Sequence, residues 1–264
     1  MATLIRSTTP GSSWTRDELR AYNITVASQD IATFFGNPTL PQPSIRQVTL
    51  EDETYPPEGV ANKDDRKFFV YLEDATKPPP GEESSVDTFA THLLSLLGYD
   101  ELVSHCYVAG RRDIPFFMCG GNTHAKTDAC VVNLHTEIFL LVQEDKRFQS
   151  EVNPEPQLIA EAIASFQFNN GLLRKKGKKP IEKKTVPGIT MIGTTPTFYK
   201  IEVTQDLVDA IETAQYPESP TIVHKLVPPV EDFDGSHLRK DGMKTLSNRA
   251  VILRCFEAFK QFVG

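Results

Sequence analysis

The sequence lacks the long apolar runs of membrane proteins and secreted precursors. Within its 264 residues, no stretch approaches the roughly 18 consecutive apolar residues that a membrane-crossing helix needs. Residues 1–14 also lack the apolar block of a secretory signal peptide. We therefore expect no membrane partner, and an intracellular protein of the cytoplasm or the nucleus.

Cysteine is scarce as well. The chain has four cysteines, and most of them lie inside apolar runs, which favours packed, reduced thiols over a disulfide framework. A zinc centre is an alternative, but no CxxC pair is present, and no local signature supports a cysteine nucleophile. The clustered candidates for zinc are Cys106, Cys119, Cys130, His105, His124 and His135. His124 is also a weaker candidate for a proton shuttle.

The composition is that of a folded protein. Hydrophobic residues make up 39% of the chain and charged residues 24%, which excludes a disordered or collagen-like polymer. Prolines crowd residues 38–80, so long regular elements are not expected there. We predict a proline-rich extension over residues 1–81 that wraps a main domain over residues 82–264. Within the extension, a Thr15–Glu18 capping box predicts a short helix, and residues 67–72 resemble a strand.

The main domain alternates helix and strand patterns. Apolar residues at helical spacing predict helices over 86–97, 157–168, 205–215 and 244–262, and runs of β-branched and aromatic residues predict strands over 114–119, 129–134, 138–142, 189–192 and 197–204. We expect the first three strands to form an antiparallel meander. The order predicts a mixed α/β (α+β) fold, with a mixed central sheet flanked by helices.

Positive charge is concentrated in one segment. The net charge is -7, yet residues 174–184, RKKGKKPIEKK, contain seven basic residues and one acidic residue. This basic segment is compatible with a surface that binds polyanions on an acidic protein. A solvated loop and a nuclear-import signal are the alternatives.

The segment with the clearest chemical pattern is residues 139–146, FLLVQEDK, where an apolar strand ends in charge. Residues two apart share a face of a strand, so Glu144 and Lys146 are expected to project together. Asp128 stands at the start of the preceding strand, and antiparallel pairing is expected to bring it beside Glu144. Two carboxylates at one place suit Mg²⁺. The alternative for Glu144 and Lys146 is an ordinary surface salt bridge.

These residues carry a resemblance to a known family. Asp128 and the run Glu144, Asp145 and Lys146, in a helix, strand, strand, strand, helix order, resemble the motif and core of the PD-(D/E)XK nuclease superfamily, the restriction-endonuclease-like fold. The phrases LLVQEDK and PQLIAEAIASFQ are also similar to those of uncharacterised fungal proteins near that superfamily. The resemblance covers about residues 83–204, and Thr127 stands where the superfamily often has proline.

The resemblance implies a role for each matched residue. Asp128 and Glu144 would ligate Mg²⁺, or alternatively Mn²⁺, the carbonyl of Asp145 would add a ligand, and Lys146 would orient or activate the attacking water. Relatives often supply an acid from the first helix, where Glu83 or Glu82 is the candidate. Many place a glutamine on the helix after the motif, where Gln157 is the candidate and Glu161 follows one turn later.

The sequence thus leads to a hypothesis of function. We expect a Mg²⁺-dependent endonuclease, a hydrolase that cleaves nucleic acid, DNA rather than RNA, with a metal-activated water. The basic segment would hold the phosphate backbone near the metal through Lys175, Lys176, Lys178 and Lys179. The alternative is a non-catalytic module that binds nucleic acid or protein on the same scaffold.

Overall fold

A seven-stranded mixed sheet organises the fold. The computed structural model describes residues 6–52, 59, 62–76, 84–103, 105–135, 137–144, 153–230 and 242–264. The strands are β1 (Ile24–Ser28), β2 (Cys106–Ala109), β3 (Arg112–Met118), β4 (Gly121–Thr127), β5 (Ala129–Asn133), β6 (Ile138–Glu144), β7 (Lys183–Ile192), β8 (Thr195–Thr204) and β9 (Thr221–Leu226). The mixed α/β class predicted from the sequence is confirmed.

Helices cover both faces of this sheet. They are α1 (Arg16–Ala21), α2 (Ile31–Phe35), α3 (Gln47–Glu51), α4 (Lys63–Thr76), α5 (Ser84–Leu96), α6 (Glu155–Lys175), α7 (Gln205–Glu212) and α8 (Leu246–Phe259), with short 3-10 turns at Gly11–Ser13, Gly242–Lys244 and Lys260–Phe262. Among the described residues, no helix combines the length and the apolar character that a membrane crossing demands.

The sheet has the strand order β1-β9-β8-β7-β6-β5-β2. The pairs β1/β9 and β6/β7 are parallel, and the other neighbours are antiparallel. Parallel neighbours need a crossover connection, and α6 supplies it between β6 and β7. As a result, α6 begins at the end of the sheet where β6 ends and runs back along it.

Each face of the sheet has its own core. Side chains alternate along β5, so Ala129 and Val131 join the core formed with α4, α5 and α8, whereas Cys130 and Val132 join the core formed with α1, α6 and α7. Both sets are buried. Because the two faces of β5 are covered, its entire run reads as apolar in the sequence.

The described part of residues 1–81 contributes to the main sheet. Strand β1 forms its edge through parallel pairing with β9, and the Thr15–Glu18 capping box is present at the start of α1. The aromatic residues of this segment are buried, as is seen for Trp14, Phe34 and Phe68. The boundary between an extension and a main domain stays a prediction.

Three local predictions are wrong. A long regular element does occur within residues 38–80, because α4 spans 14 residues between the prolines. Residues 67–72 lie in α4 and form no strand; Phe68, Phe69, Leu72 and Ala75 are buried at helical spacing against the neighbouring helices. The predicted meander is also different. The hairpin of β5 and β6 is confirmed, but β3 pairs with β4 in a separate two-stranded sheet. The sequence of β4, GNTHAKT, is too polar to be predicted as a strand from its residues.

Candidate functional site

The start of β5 and the end of β6 meet at Asp128. Ala129 is paired with Val142, and the backbone N–H of Asp128 donates to the carbonyl of Val142 at 3.2 Å. The next cross-strand neighbour of Asp128 is therefore Gln143. The expectation that Glu144 lies directly beside Asp128 is wrong by one residue, since Gln143 occupies that position. Consecutive strand residues alternate between the two faces of a sheet, so a difference of one residue changes which face is involved.

A chain of side-chain amides extends from Asp128 to α6. The Nε2 of Gln143 donates to Oδ2 of Asp128 at 2.5 Å, and the Nε2 of Gln157 donates to Oε1 of Gln143 at 2.9 Å. Gln157 also donates to Oε1 of Glu161 at 3.2 Å and to the carbonyl of Lys126 at 3.3 Å. Gln157, on the first turns of α6, thus joins the network that holds Asp128, and the catalytic role that the resemblance implies for it stays a prediction.

Glu161 is the most unusual member of this network. Glu161 is 0% exposed, and its Oε2 is buried without a geometric hydrogen-bond partner. The nearby hydroxyl of Thr127 donates to the carbonyls of Ala129 and Val142. Burial raises the pKa of Glu161 well above its ordinary value, and the charge of Asp128 raises it further. A nearby cation would reverse this effect by favouring the carboxylate.

Asp128 links this buried network to a cleft that is open to solvent. Its residue is 9% exposed, and its Oδ1 lies 3.9 Å from Nε of Arg111, which is largely exposed. Both residues line a cleft of about 550 Å³ between α4, α5 and the turn before β3. The carboxylate is therefore reachable from solvent on one side and held by an amide on the other.

The oxygen donors at this place suit a hard cation. Asp128 contributes a carboxylate and Glu161 the orphaned Oε2, and such donors are those that Mg²⁺ uses in proteins. The amide oxygen of Gln143 accepts from Gln157 instead. Within the ranges that the structure describes, however, no three residues from the set His, Cys, Asp and Glu are grouped so that they could hold a metal ion. Among the described residues, the fit therefore rests on the carboxylates of Asp128 and Glu161.

The other predicted metal and catalytic residues fall at or beyond the edge of the described chain. Glu144 is the last residue of β6, and its Cα is paired with Met191 of β7. Asp145, Lys146 and Glu83, with its neighbour Glu82, lie outside the described residues. Their roles stay predictions.

The basic segment lies at the far end of α6. Gln157 and Lys175 are separated by 18 residues of helix, which corresponds to roughly 27 Å. Lys184, the last residue of the segment, places its Nζ 5.0 Å from the ring centre of Phe139, at the beginning of β6. Lys175, Lys176, Lys178 and Lys179 are exposed, but they are not near Asp128, so the expected proximity to the metal is wrong.

The alternative thiol and imidazole chemistry gains no geometric support. Burial raises the pKa of the Cys130 thiol to about 11, which disfavours a nucleophilic thiolate. The Sγ of Cys119 lies 3.1 Å from the hydroxyl of Tyr22. His124 is exposed on β4 and its Cα is paired with Pro115.

Two residues of the site were missed from the sequence. Gln143 immediately precedes the charged run, and its neutral amide gives no sequence signal for a metal ligand. Arg111 belongs to a turn whose position depends on the pairing of β2 with β5. The only available signal for Gln143 was a polar residue at the end of an otherwise apolar strand.

Comparison of the chain with protein-family models finds no family that matches it. Comparison with curated proteins finds no matching sequence either.

Proposed function

We propose that this chain is a metal-dependent nuclease that hydrolyses phosphodiester bonds of nucleic acid, with DNA favoured over RNA. The observation that carries the proposal is the position of Asp128 at the junction of β5, β6 and α6, where Gln143 and Gln157 hold it. The order α5, β2, β5, β6, α6, β7 is compatible with a restriction-endonuclease-like core, with the β3–β4 hairpin as an insertion.

The roles of the residues follow from their chemistry. Asp128 would hold the divalent ion, and the amide of Gln143 fixes one carboxylate oxygen while the other faces the cleft. Glu144, one residue beyond Gln143 on β6, stays a predicted second ligand. Gln157 positions Gln143 from α6. When bound, Mg²⁺ would neutralise charge on the phosphate and lower the pKa of a water molecule. We assign Lys146 to orienting that water, as the motif implies.

Cleavage assays on a substrate panel test this function. Plasmid, single-stranded DNA and RNA would be incubated with Mg²⁺ or Mn²⁺ and, in parallel, with chelator. We expect cleavage that requires metal, and we expect Asp128→Asn and Lys146→Ala to reduce it by about 10²-fold or more. Asp113→Asn is the matched control, because Asp113 is an exposed strand aspartate paired with Lys126. Equal activity of the Asp128→Asn and Asp113→Asn variants would contradict the proposal.

One observation favours a second candidate function, a non-catalytic module that binds nucleic acid or protein. The residue directly opposite Asp128 is the amide Gln143 rather than a carboxylate, which weakens the attraction for a divalent ion. In the same assays this candidate predicts retarded migration of nucleic acid, no cleaved products with either metal, and no effect of Asp128→Asn on retardation.

A further inference from the structure

The cleft beside Asp128 has the size of a ligand-binding site and is lined by residues of α4, α5 and the turn before β3. Its volume of about 550 Å³ lies in the range of small-ligand sites, roughly 300–1,000 Å³. One wall is α4, the other is α5, and the turn before β3 closes one end. The lining residues are Asp64, Lys67, Tyr71, Asp87, Thr88, Thr91, His92, Ser95, Gly110, Arg111 and Asp128.

An aromatic pair forms part of this lining. The rings of Tyr71 and His92 are 5.3 Å apart and meet edge to face at 79°. His92 is fixed in turn, because its Nε2 lies 2.9 Å from the carbonyl oxygen of Asp64. Burial lowers the pKa of His92, so the ring is neutral at neutral pH. The pair is thus a positioned, uncharged aromatic surface, which is the kind of surface on which bases stack.

The charges of the cleft are nearly balanced. Lys67 lies 4.0 Å from a carboxylate oxygen of Asp64, and Arg111 lies 3.9 Å from Asp128. All four groups line the cleft together with Asp87. A duplex is held mainly by its phosphates and needs a strongly positive surface, which this cleft is not. A ligand that gains free energy from stacking and presents few phosphates fits better.

We propose that this cleft binds a short single-stranded segment of nucleic acid. One unpaired base stacks on Tyr71, and adjacent phosphates approach Lys67 and Arg111 at the mouth. The bases of a duplex are already stacked on each other, so an aromatic side chain can use only an unpaired base. The inference rests on the proposed function, because it names the substrate class of the Asp128 site.

Binding measurements under conditions that prevent metal-dependent cleavage test this inference. Fluorescence anisotropy of labelled oligonucleotides in chelator measures affinity whether or not the protein is a nuclease. We expect tighter binding of a single strand than of the matching duplex, and a loss of about tenfold in single-strand affinity in Tyr71→Ala. Tyr71→Phe retains the ring and should retain the affinity. Tyr107→Ala removes an exposed tyrosine on β2 and serves as the matched control.

The salt dependence provides a second readout. Each phosphate contact on a single strand contributes a slope of about 0.7 to the fall of log affinity with log salt concentration. Arg111→Gln should reduce the slope by about that amount, whereas Arg20→Gln on α1 should not. Tighter binding of the duplex, or equal affinities of Tyr71→Ala and Tyr107→Ala, would overturn the inference. Single-strand binding that depends on Tyr71, without any cleavage, would refute only the nuclease proposal.

Discussion

The carboxylate of Asp128 accepts a hydrogen bond of 2.5 Å from the amide of Gln143, its neighbour across the β5–β6 hairpin. The relationship fixes Oδ2, while Oδ1 faces Arg111 and the cleft. Gln143 is 5% exposed, so the bond is shielded from competing water. The geometry of the candidate metal ligand is therefore set by a neutral residue on the adjacent strand.

Replacing this amide by a carboxylate should make the site depend on metal. In Gln143→Glu two carboxylates face each other, and we expect a loss of about 1–3 kcal/mol in the free energy of unfolding at neutral pH in chelator. Mn²⁺ should restore most of this loss. Denaturant unfolding with and without Mn²⁺ measures both effects. The control is Gln215→Glu at an exposed position, which should change stability little and show no response to Mn²⁺; an equal response would refute the site.

The sequence predicts elements better than it predicts their partners. The β5–β6 hairpin and α6 could be read from the residues because their apolar runs are long and bounded by turn signals. The register of the hairpin could not, because a bulge shifts the pairing between Val131 and Val132. A bulge leaves little trace in composition. The structure therefore brings Asp128 and Gln157 together through Gln143, a cross-strand neighbour that the sequence did not indicate, and the roles of Asp128 and Gln157 stay predictions.

Glu161 should make stability depend on pH. The folded pKa lies well above the ordinary value of 4.5, chiefly because the group is buried. Above pH 4.5 the unfolded chain releases this proton while the folded chain keeps it, so the free energy of unfolding should fall as pH rises toward the folded pKa. Glu161→Gln should remove this dependence and stabilise the protein at pH 8 by about 1–3 kcal/mol relative to wild type.

Urea unfolding at pH 5 and pH 8 checks this prediction. The comparison variant is Glu202→Gln, which changes a glutamate that is partly exposed beside Lys183. Asp128→Asn should shrink the pH dependence of the wild-type protein, because the charge of Asp128 raises the pKa of Glu161. The assignment would fail if Glu161→Gln kept the wild-type pH profile.

Arg249 should be a major determinant of stability. Its side chain is 0% exposed, and it donates to the carbonyls of Met243, Thr49, Asp52 and Lys244. Arg249→Leu leaves these acceptors without a donor, so we expect a loss of about 3–5 kcal/mol. Thermal unfolding measures it. Arg254→Leu, on the same helix and partly exposed, should cost much less; equal losses would contradict the role.

Long-range contacts explain why the sequence did not single out Arg249. Its carbonyl partners Thr49 and Asp52 lie about 200 positions earlier in the chain, and an arginine in an amphipathic helix normally faces solvent.

The same argument applies to α4. Alternation in KFFVYL favours a strand locally, but α5 provides a helical partner that buries Phe68 against Phe89. Tertiary packing overrides the local preference in both cases.

The basic segment should act as a second contact on long substrates. Its lysines lie roughly 27 Å along α6 from Gln157. A strand stacked at the duplex spacing of about 3.4 Å per nucleotide covers that distance in about eight nucleotides, and an extended strand covers it in fewer. Changing Lys175, Lys176, Lys178 and Lys179 to Gln should therefore weaken binding of long strands. For four single-strand contacts, the slope of log affinity against log salt should fall by up to about 2.8.

Short oligonucleotides test whether the basic segment and the Asp128 site are separate contacts on the substrate. Oligonucleotides of about three nucleotides are too short to reach both surfaces, so the lysine variant should bind and cleave them like wild type. Anisotropy and cleavage rates measured across a series from about three to about twelve nucleotides would show the length at which the lysine variant diverges from wild type. Arg16→Gln with Arg20→Gln, which neutralises two exposed arginines of α1, is the charge control. An equal loss of affinity at every length would contradict this prediction, because a short strand bound at Asp128 cannot also contact lysines roughly 27 Å away along α6.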